Sequence, residues 1–317
     1  MGHRLVIALG GNAITRPGGP ADISAQFEQT AQSTRWLVDL LDAGHHVVIT
    51  HGNGPQVGST YRRSELAASE VYPLPLEICV ASTQGGMGYM IAQCLHNELQ
   101  VRGRPRGVTA IVTTVVVDAA DPAFKDPTKP IGPYLGPELA RARAAEGITI
   151  KPAGKDKYRR VVASPRPTQI LESGAIRRLV DAGELIVACG GGGIPVARDH
   201  EGQLRGIAAV VDKDLASALL AVEIDADALL ILTAAEQVCI RYEQPGQQAL
   251  GRMTVGQARS HLAAGEFPPG SMGPKIEAAI LFLEASRRPH AEVIITTPEK
   301  ALEAMQGRAG TRLTRGS

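Results

Sequence analysis

Six short apolar runs, rich in β-branched residues and nearly free of charge, recur along the chain: RLVIAL (4–9), HVVIT (46–50), VTAIVTTVVV (108–117), ELIVAC (184–189), ALLILT (228–233) and EVIITT (292–297). Runs of this length and composition suit strands buried on both faces. Amphipathic stretches between them read as helices near 23–43, 76–100, 137–146, 173–182, 214–224, 273–286 and 298–306. The first carries Ile23, Phe27, Ala31, Leu37, Leu40 and Leu41 at helical spacing and stops at Gly44, a fitting C′ residue. The alternation predicts an α/β fold, an open and mainly parallel sheet with helices on both faces. Aromatics make up only 3% of the 317 residues, so Val, Ala, Leu and Ile must supply the core.

In such a sheet, ligands bind where the C-terminal ends of the strands meet their loops. The residues there are Gly10-Gly11-Asn12, His51 to Gly58, Gly190 to Gly193, and Thr233 onward. GGNA and HGNGPQVG place glycine where a side chain would block an anion, and successive amides can form an anion-binding nest. Either loop alone reads equally as a tight strand-to-helix turn. Two similar Gly-Asn loops after two strands favour a phosphate site, with Asn12 and Asn53 as side-chain donors. No GxxxxGK[ST] occurs, and CGGGGIPVARDHEGQL continues as a hairpin rather than the helix that would receive a pyrophosphate. Its glycines suit a close backbone crossing or a place near the nucleotide or transferred phosphate, and the reading favours the second.

The loop THGNGPQVG has no lysine or arginine, so positive charge must come from elsewhere. Asp212, Lys213 and Asp214 open an apolar helix; N-capping explains the aspartates but not the lysine between them. Lys275, just past Pro274, lies in a first helical turn, where a cation opposes the dipole. Lys129 in PTKPIGP is the third candidate. The eight histidines show no metal-ligand spacing; His51 is the one placed for function, and a structural hydrogen bond accounts for it equally. There is no GxSxG elbow. Cys79, Cys94, Cys189 and Cys239 lie far apart in apolar surroundings and read as buried, reduced thiols. A net charge of +1 gives no global attraction for nucleic acid or anionic lipid, so any cationic site must be local.

Residues 121–167 hold eight of the 21 prolines together with many charges, which forbids a central strand or long helix there. Segment 119–167 is therefore expected to be a small protruding subdomain inserted in a single domain spanning 1–317, with a short helix starting at Pro137. LVIAL is too short for a signal-peptide core, and no apolar run approaches bilayer length, so a cytoplasmic protein is expected.

Taken in order, ALGGNAI, THGNGPQVG, STQGGMGYMIAQ, PTKPIGP, RRVVASPRP, GGGGIPV, VDKDLASALLA and PPGSMGPKIEAA resemble carbamate kinases of the amino-acid kinase superfamily, over almost the whole chain. The resemblance implies a three-layer αβα sandwich, a homodimer, and reversible phosphoryl transfer between ATP and carbamate, with Mg²⁺ arriving on the nucleotide. In the cell that reaction can run toward ATP synthesis. Carried over to this chain, it implies Lys129, Lys213, Asp214 and Lys275 as catalytic residues, and Gly10, Gly11, Asn12, Gly52, Asn53 and Gly54 at the phosphate and carbamate site. Thr233, Ala234, Met272 and Gly273 fall at the nucleotide. After ALLILT the family usually carries an LT-x-V-D pattern, whereas this chain reads LTAAEQV, placing Ala235 and Glu236 near the nucleotide pocket. A superfamily kinase with another small acid as acceptor is the alternative within the fold, and PTKPIGP weighs against it. A non-catalytic nucleotide sensor is a third reading, and the set of Lys213, Asp214 and Lys275 weighs against that.

Overall fold

The computed structural model describes residues 2–16, 22–268 and 270–316. Its largest sheet has eight strands in the spatial order β15 (Arg252–Thr254), β17 (Thr311–Thr314), β16 (Glu292–Thr296), β12 (Ala228–Leu232), β1 (Arg4–Leu9), β2 (His46–His51), β9 (Leu185–Val187) and β3 (Val108–Ala110). Every neighbouring pair is parallel except β16 and β17. Side chains alternate across a strand, so a strand buried on both faces feeds two cores. Val6 and Ala8 of β1 pack with α5 (Ser173–Asp181), α6 (Lys213–Glu223), α7 (Val255–Ala263) and α8 (Met272–Ala285). Leu5, Ile7 and Leu9 of the same strand pack with α1 (Ile23–Asp42), α3 (Leu76–Val101) and α9 (Ala301–Met305). The result is the expected three-layer αβα sandwich, built mostly from Val, Ala, Leu and Ile.

Smaller sheets are added to this frame. β4 (Thr114–Val117) lies between β10 (Ile194–Arg198) and β8 (Pro167–Ile170), and β11 (Leu204–Gly206) returns against β10 as the antiparallel hairpin read from the sequence. β13 (Val238–Ile240) and β14 (Gln248–Leu250) form an antiparallel pair. β5 (Lys129–Leu135), β7 (Tyr158–Val162) and β6 (Ile150–Pro152) form an antiparallel sheet of their own, with α4 (Pro137–Ala145) beside it and Pro137 in its first turn. β5 rests on α2 (Gly54–Leu66) in direct backbone contact: a Cβ added to Gly58 would lie 2.0 Å from the nitrogen of Gly132.

The structure departs from the sequence reading at definite points. VTAIVTTVVV is two strands in different sheets, β3 and β4. Between them the buried Gln84 amide takes the role of a strand: its Oε1 accepts from the Thr113 N–H at 2.8 Å and its Nε2 donates to the Thr113 carbonyl at 3.1 Å. That pair satisfies the backbone where the chain changes sheets. The second half of THGNGPQVG is helix, not loop, because α2 begins at Gly54 with Pro55 in its first turn. Helix α7 lies outside the amphipathic stretches, although Thr254 and Gln257 form a capping box at its start. The 298–306 segment opens as a 3-10 turn over Pro298–Lys300 before α9. Cys239 is half-buried, whereas Cys79, Cys94 and Cys189 are buried; all four are free thiols. No helix among the described residues is long and apolar enough to cross a membrane.

Candidate active site

The loops after β1 and β2 meet the first turns of α6 and α8 around a cavity of about 210 Å³. Its walls include Gly11, Gly52, Asn53, Gly54, Gly191 and the side chains of Lys129, Lys213 and Lys275. A smaller adjoining cavity shares Gly11, Lys213 and Lys275 with the first and adds Gly10, Asn12, Thr233 and Ala234. The three lysines, far apart in sequence, thus converge on one place. Met272 and Gly273 line neither cavity; Met272 packs on the core, and Gly273 sits over the Pro268 carbonyl.

Each lysine is held by a carboxylate from the start of α6. Lys213 Nζ is 2.5 Å from Asp214 Oδ1, and Lys275 Nζ is 3.3 Å from Asp214 Oδ2, so one buried carboxylate spans two ammonium groups. Lys129 Nζ, reaching over from β5, is 2.5 Å from Asp212 Oδ2. Three ammonium groups against two carboxylates leave the cluster with one positive charge in excess, a composition suited to a polyanion. Burial lowers the Lys213 pKa, opposed by Asp214, while Lys275 lowers it further. For Asp212, burial acts upward, but the charge and hydrogen bond of Lys129, together with Lys213, hold the carboxyl well below the usual range.

The glycines have separate duties. A Cβ on Gly10 would meet the Leu232 carbonyl at 2.7 Å, so this residue lets β1 and β12 run close. Gly11 faces open space. Gly52 lies under the stem of Lys213, whose Cδ would be 3.3 Å from an added Cβ. The charge missing from THGNGPQVG therefore lies directly on it, contributed by α6. Gly190, Gly191, Gly192 and Gly193 are packed against His51, Asn53, Val211 and Val115 in turn, at distances of 2.4 Å or less from a would-be Cβ. A close backbone crossing accounts for Gly192, over the Val211 carbonyl; Gly190, Gly191 and Gly193 make room for side chains instead, and Gly191 also reaches the cavity wall. Asn53 is buried, with Nδ2 donating to Thr83 Oγ1 at 2.8 Å. Asn12 is exposed, and its carbonyl accepts from Gln29 Nε2.

His51 is fully enclosed, and its Nδ1 lies 3.0 Å from the Gly52 carbonyl. Burial lowers its pKa to about 4, the Gly52 hydrogen bond opposing and Lys213 assisting. The neutral ring donates from Nδ1 and fixes the Gly52 peptide. Because the folded value lies below the unfolded 6.5, the native chain binds fewer protons between these values. The share of stability that rests on His51 is complete above pH 6.5 and is lost as pH drops toward 4, about 3 kcal/mol in all. His51→Asn, which keeps an N–H donor and cannot charge, is expected to flatten the loss in that window. Urea denaturation of both proteins at pH 7 and pH 4.5 measures it.

Sequence reasoning missed the pairing of Asp212 with Lys129, and missed Thr83, Gln56, Met87 and Pro274 as wall or support residues. The DKD spacing held a clue: two carboxylates flank one lysine while two more lysines await partners. Among the described residues no group of three or more His, Cys, Asp or Glu is placed to hold a metal ion.

Residues 3–296 match the model of the amino acid kinase family. The chain is 45% identical over 319 residues to the carbamate kinase-like protein YahI of Escherichia coli, covering 99% of each. It is 44% identical over 308 residues to carbamate kinase 1 of Enterococcus faecium, covering 97% of each. The structure superposes on carbamate kinase from Giardia lamblia bound to AMP-PNP with a TM-score of 0.89, at 36% identity and covering 99% and 98% of the two chains. This chain belongs to the amino acid kinase family, among the carbamate kinases and carbamate kinase-like proteins.

Proposed function

We propose that this protein is a carbamate kinase, an ATP-dependent phosphotransferase moving a phosphoryl group reversibly between ATP and carbamate. The observation that carries the reading is the convergence of Lys129, Lys213 and Lys275 on a cavity floored by the Gly52–Gly54 turn. Carbamate already presents an anionic oxygen, so no base has to deprotonate it. The remaining task is to align that oxygen with the γ-phosphorus and offset the charge of the transferring group. In the reverse direction, the bond between phosphorus and the carbamate oxygen breaks as a bond to the β-phosphate oxygen of ADP forms.

On this reading Lys213 and Lys275, shared by both cavities, contact the transferring phosphoryl group, with Asp214 orienting both. Lys129 serves the carbamoyl end. Gly10, Gly11, Asn12, Gly52, Asn53 and Gly54 supply amides and shape, and Thr233 and Ala234 border the nucleotide, the ligand class seen in the Giardia relative. Mg²⁺ enters on the nucleotide phosphates as part of the substrate. Segment 119–167 then acts as a subdomain presenting Lys129 to the cleft. The chain works as a cytoplasmic homodimer; the exposed edge of β3, next to α3 with its exposed Ile78 and Tyr89, supports the pairing.

Purified protein given ADP, Mg²⁺ and carbamoyl phosphate is expected to form ATP, read by a coupled luminescence or hexokinase assay. No ATP from folded protein would sink the catalytic reading.

A further inference from the structure

The carboxylate of Asp212 divides its two oxygens between two tasks. Oδ1 accepts from the backbone N–H of Asp214 at 2.8 Å and of Leu215 at 3.3 Å, capping α6. Oδ2 accepts from Lys129 Nζ at 2.5 Å. The capping bonds fix the plane of the carboxylate, and so the direction in which Oδ2 points. Lys129 belongs to the separate β5–β7–β6 sheet, and Asp212 ties its side chain to the helix that carries Lys213 and Asp214.

From the standpoint of anion affinity this carboxylate is unfavourable. It places a negative charge in the wall of a cavity whose other charged groups sum to two positive charges: three lysines less Asp214. A polyanion entering there is repelled by Asp212 and must share Lys129 with it. The N-cap alone does not require a charge, because asparagine and serine cap about as well as aspartate. What the charge adds is a fixed place for Lys129.

We propose that Asp212 is a positioning residue for phosphoryl transfer: it holds Lys129 in its working position from the N-terminus of α6, and weakens anion binding in doing so. The proposal rests on the phosphotransfer reading above. It separates two quantities that usually fall together. Loss of the charge frees Lys129, so transfer slows; it also raises the excess positive charge of the cavity from one to two, so the anionic substrate binds more tightly. A lower kcat with a lower KM is the signature of an interaction that opposes ground-state binding.

Asp212→Asn tests this, because the amide oxygen retains the cap while the amide nitrogen faces Lys129 and cannot pair with it. In ATP formation from ADP and carbamoyl phosphate, kcat is expected to fall on the order of tenfold, short of the roughly hundredfold loss from deleting a donor outright. KM for carbamoyl phosphate is expected to fall rather than rise, with the thermal midpoint little changed. In a Lys129→Ala background the same substitution should leave kcat unaltered. Asp212→Ser, a neutral cap with no reach to Lys129, should reproduce the pattern and replaces the first variant if that one misfolds. An equal drop in kcat with and without Lys129, or a raised KM at unchanged kcat, overturns the positioning role while the phosphotransfer reading stands. Wild-type protein with no turnover overturns both.

Discussion

Lys213→Ala is expected to lose turnover by about a hundredfold, roughly 3 kcal/mol of transition-state stabilisation, with its fold intact. The lysine stem crosses Gly52, its ammonium group meets Asp214, and both cavities share it. Stability behaves differently. Removing one partner of a buried ion pair is destabilising when it leaves the other charge alone. Asp214 is not left alone, because Lys275 remains 3.3 Å from Oδ2, and the desolvation that depresses the Lys213 pKa disappears with the side chain. The thermal midpoint is therefore expected to move little, or upward, as turnover collapses. The coupled ATP assay beside a calorimetric scan reads both. A variant within twofold of wild-type turnover would remove Lys213 from the machinery.

Gly58→Ala is expected to have the largest effect on the fold and to reach the site through it. The new Cβ would fall 2.0 Å from the nitrogen and 2.2 Å from the Cα of Gly132, and 2.8 Å from the carbonyl carbon of Ile131. All three are backbone atoms, so no rotamer change relieves the overlap, and α2 and β5 must separate. Overpacking of this kind costs about 1–3 kcal/mol, and rigid neighbours put it at the upper end. Lys129 opens β5, so the same displacement draws its ammonium group away from Asp212. A shift near 1 Å can cost about a hundredfold in rate. Gly132→Ala is the informative contrast. Its φ of +71° strains alanine, but its Cβ would meet Gly58 at no less than 3.5 Å, so the cost should be about 1 kcal/mol and most of the turnover should remain. Equal damage from the two variants would refute the backbone-contact account.

How much of this could be read from the chain follows from the range of the forces involved. Strands such as 4–9, 46–51 and 228–232 are buried on both faces, so composition alone marks them, and the glycines at the ends of the first two point to the cavity. Lys275 is conspicuous in the sequence because it opposes a helix dipole, and Lys213 because N-capping explains the aspartates beside it but not the lysine. The division of VTAIVTTVVV did not stand out, because it depends on the amide of Gln84, nearly thirty residues earlier. Nor did the Lys129–Asp212 pair, whose members lie 83 positions apart. Met272 and Gly273, expected at the nucleotide from resemblance, pack on the core and over the Pro268 carbonyl, while Ser271, Pro274 and Lys275 on either side of them line the larger cavity.

β1 lies between β2, made soon after it, and β12, which pairs Leu5 with Ala228. A chain emerging from the ribosome amino end first holds one flank of that strand long before the other exists. The wall carrying Lys213 must wait until two-thirds of the message has been read, and Lys275 for nearly its end. A polypeptide released early is thus no half-enzyme able to grip and waste nucleotide: the cation cluster assembles only once the last third of the chain has been made.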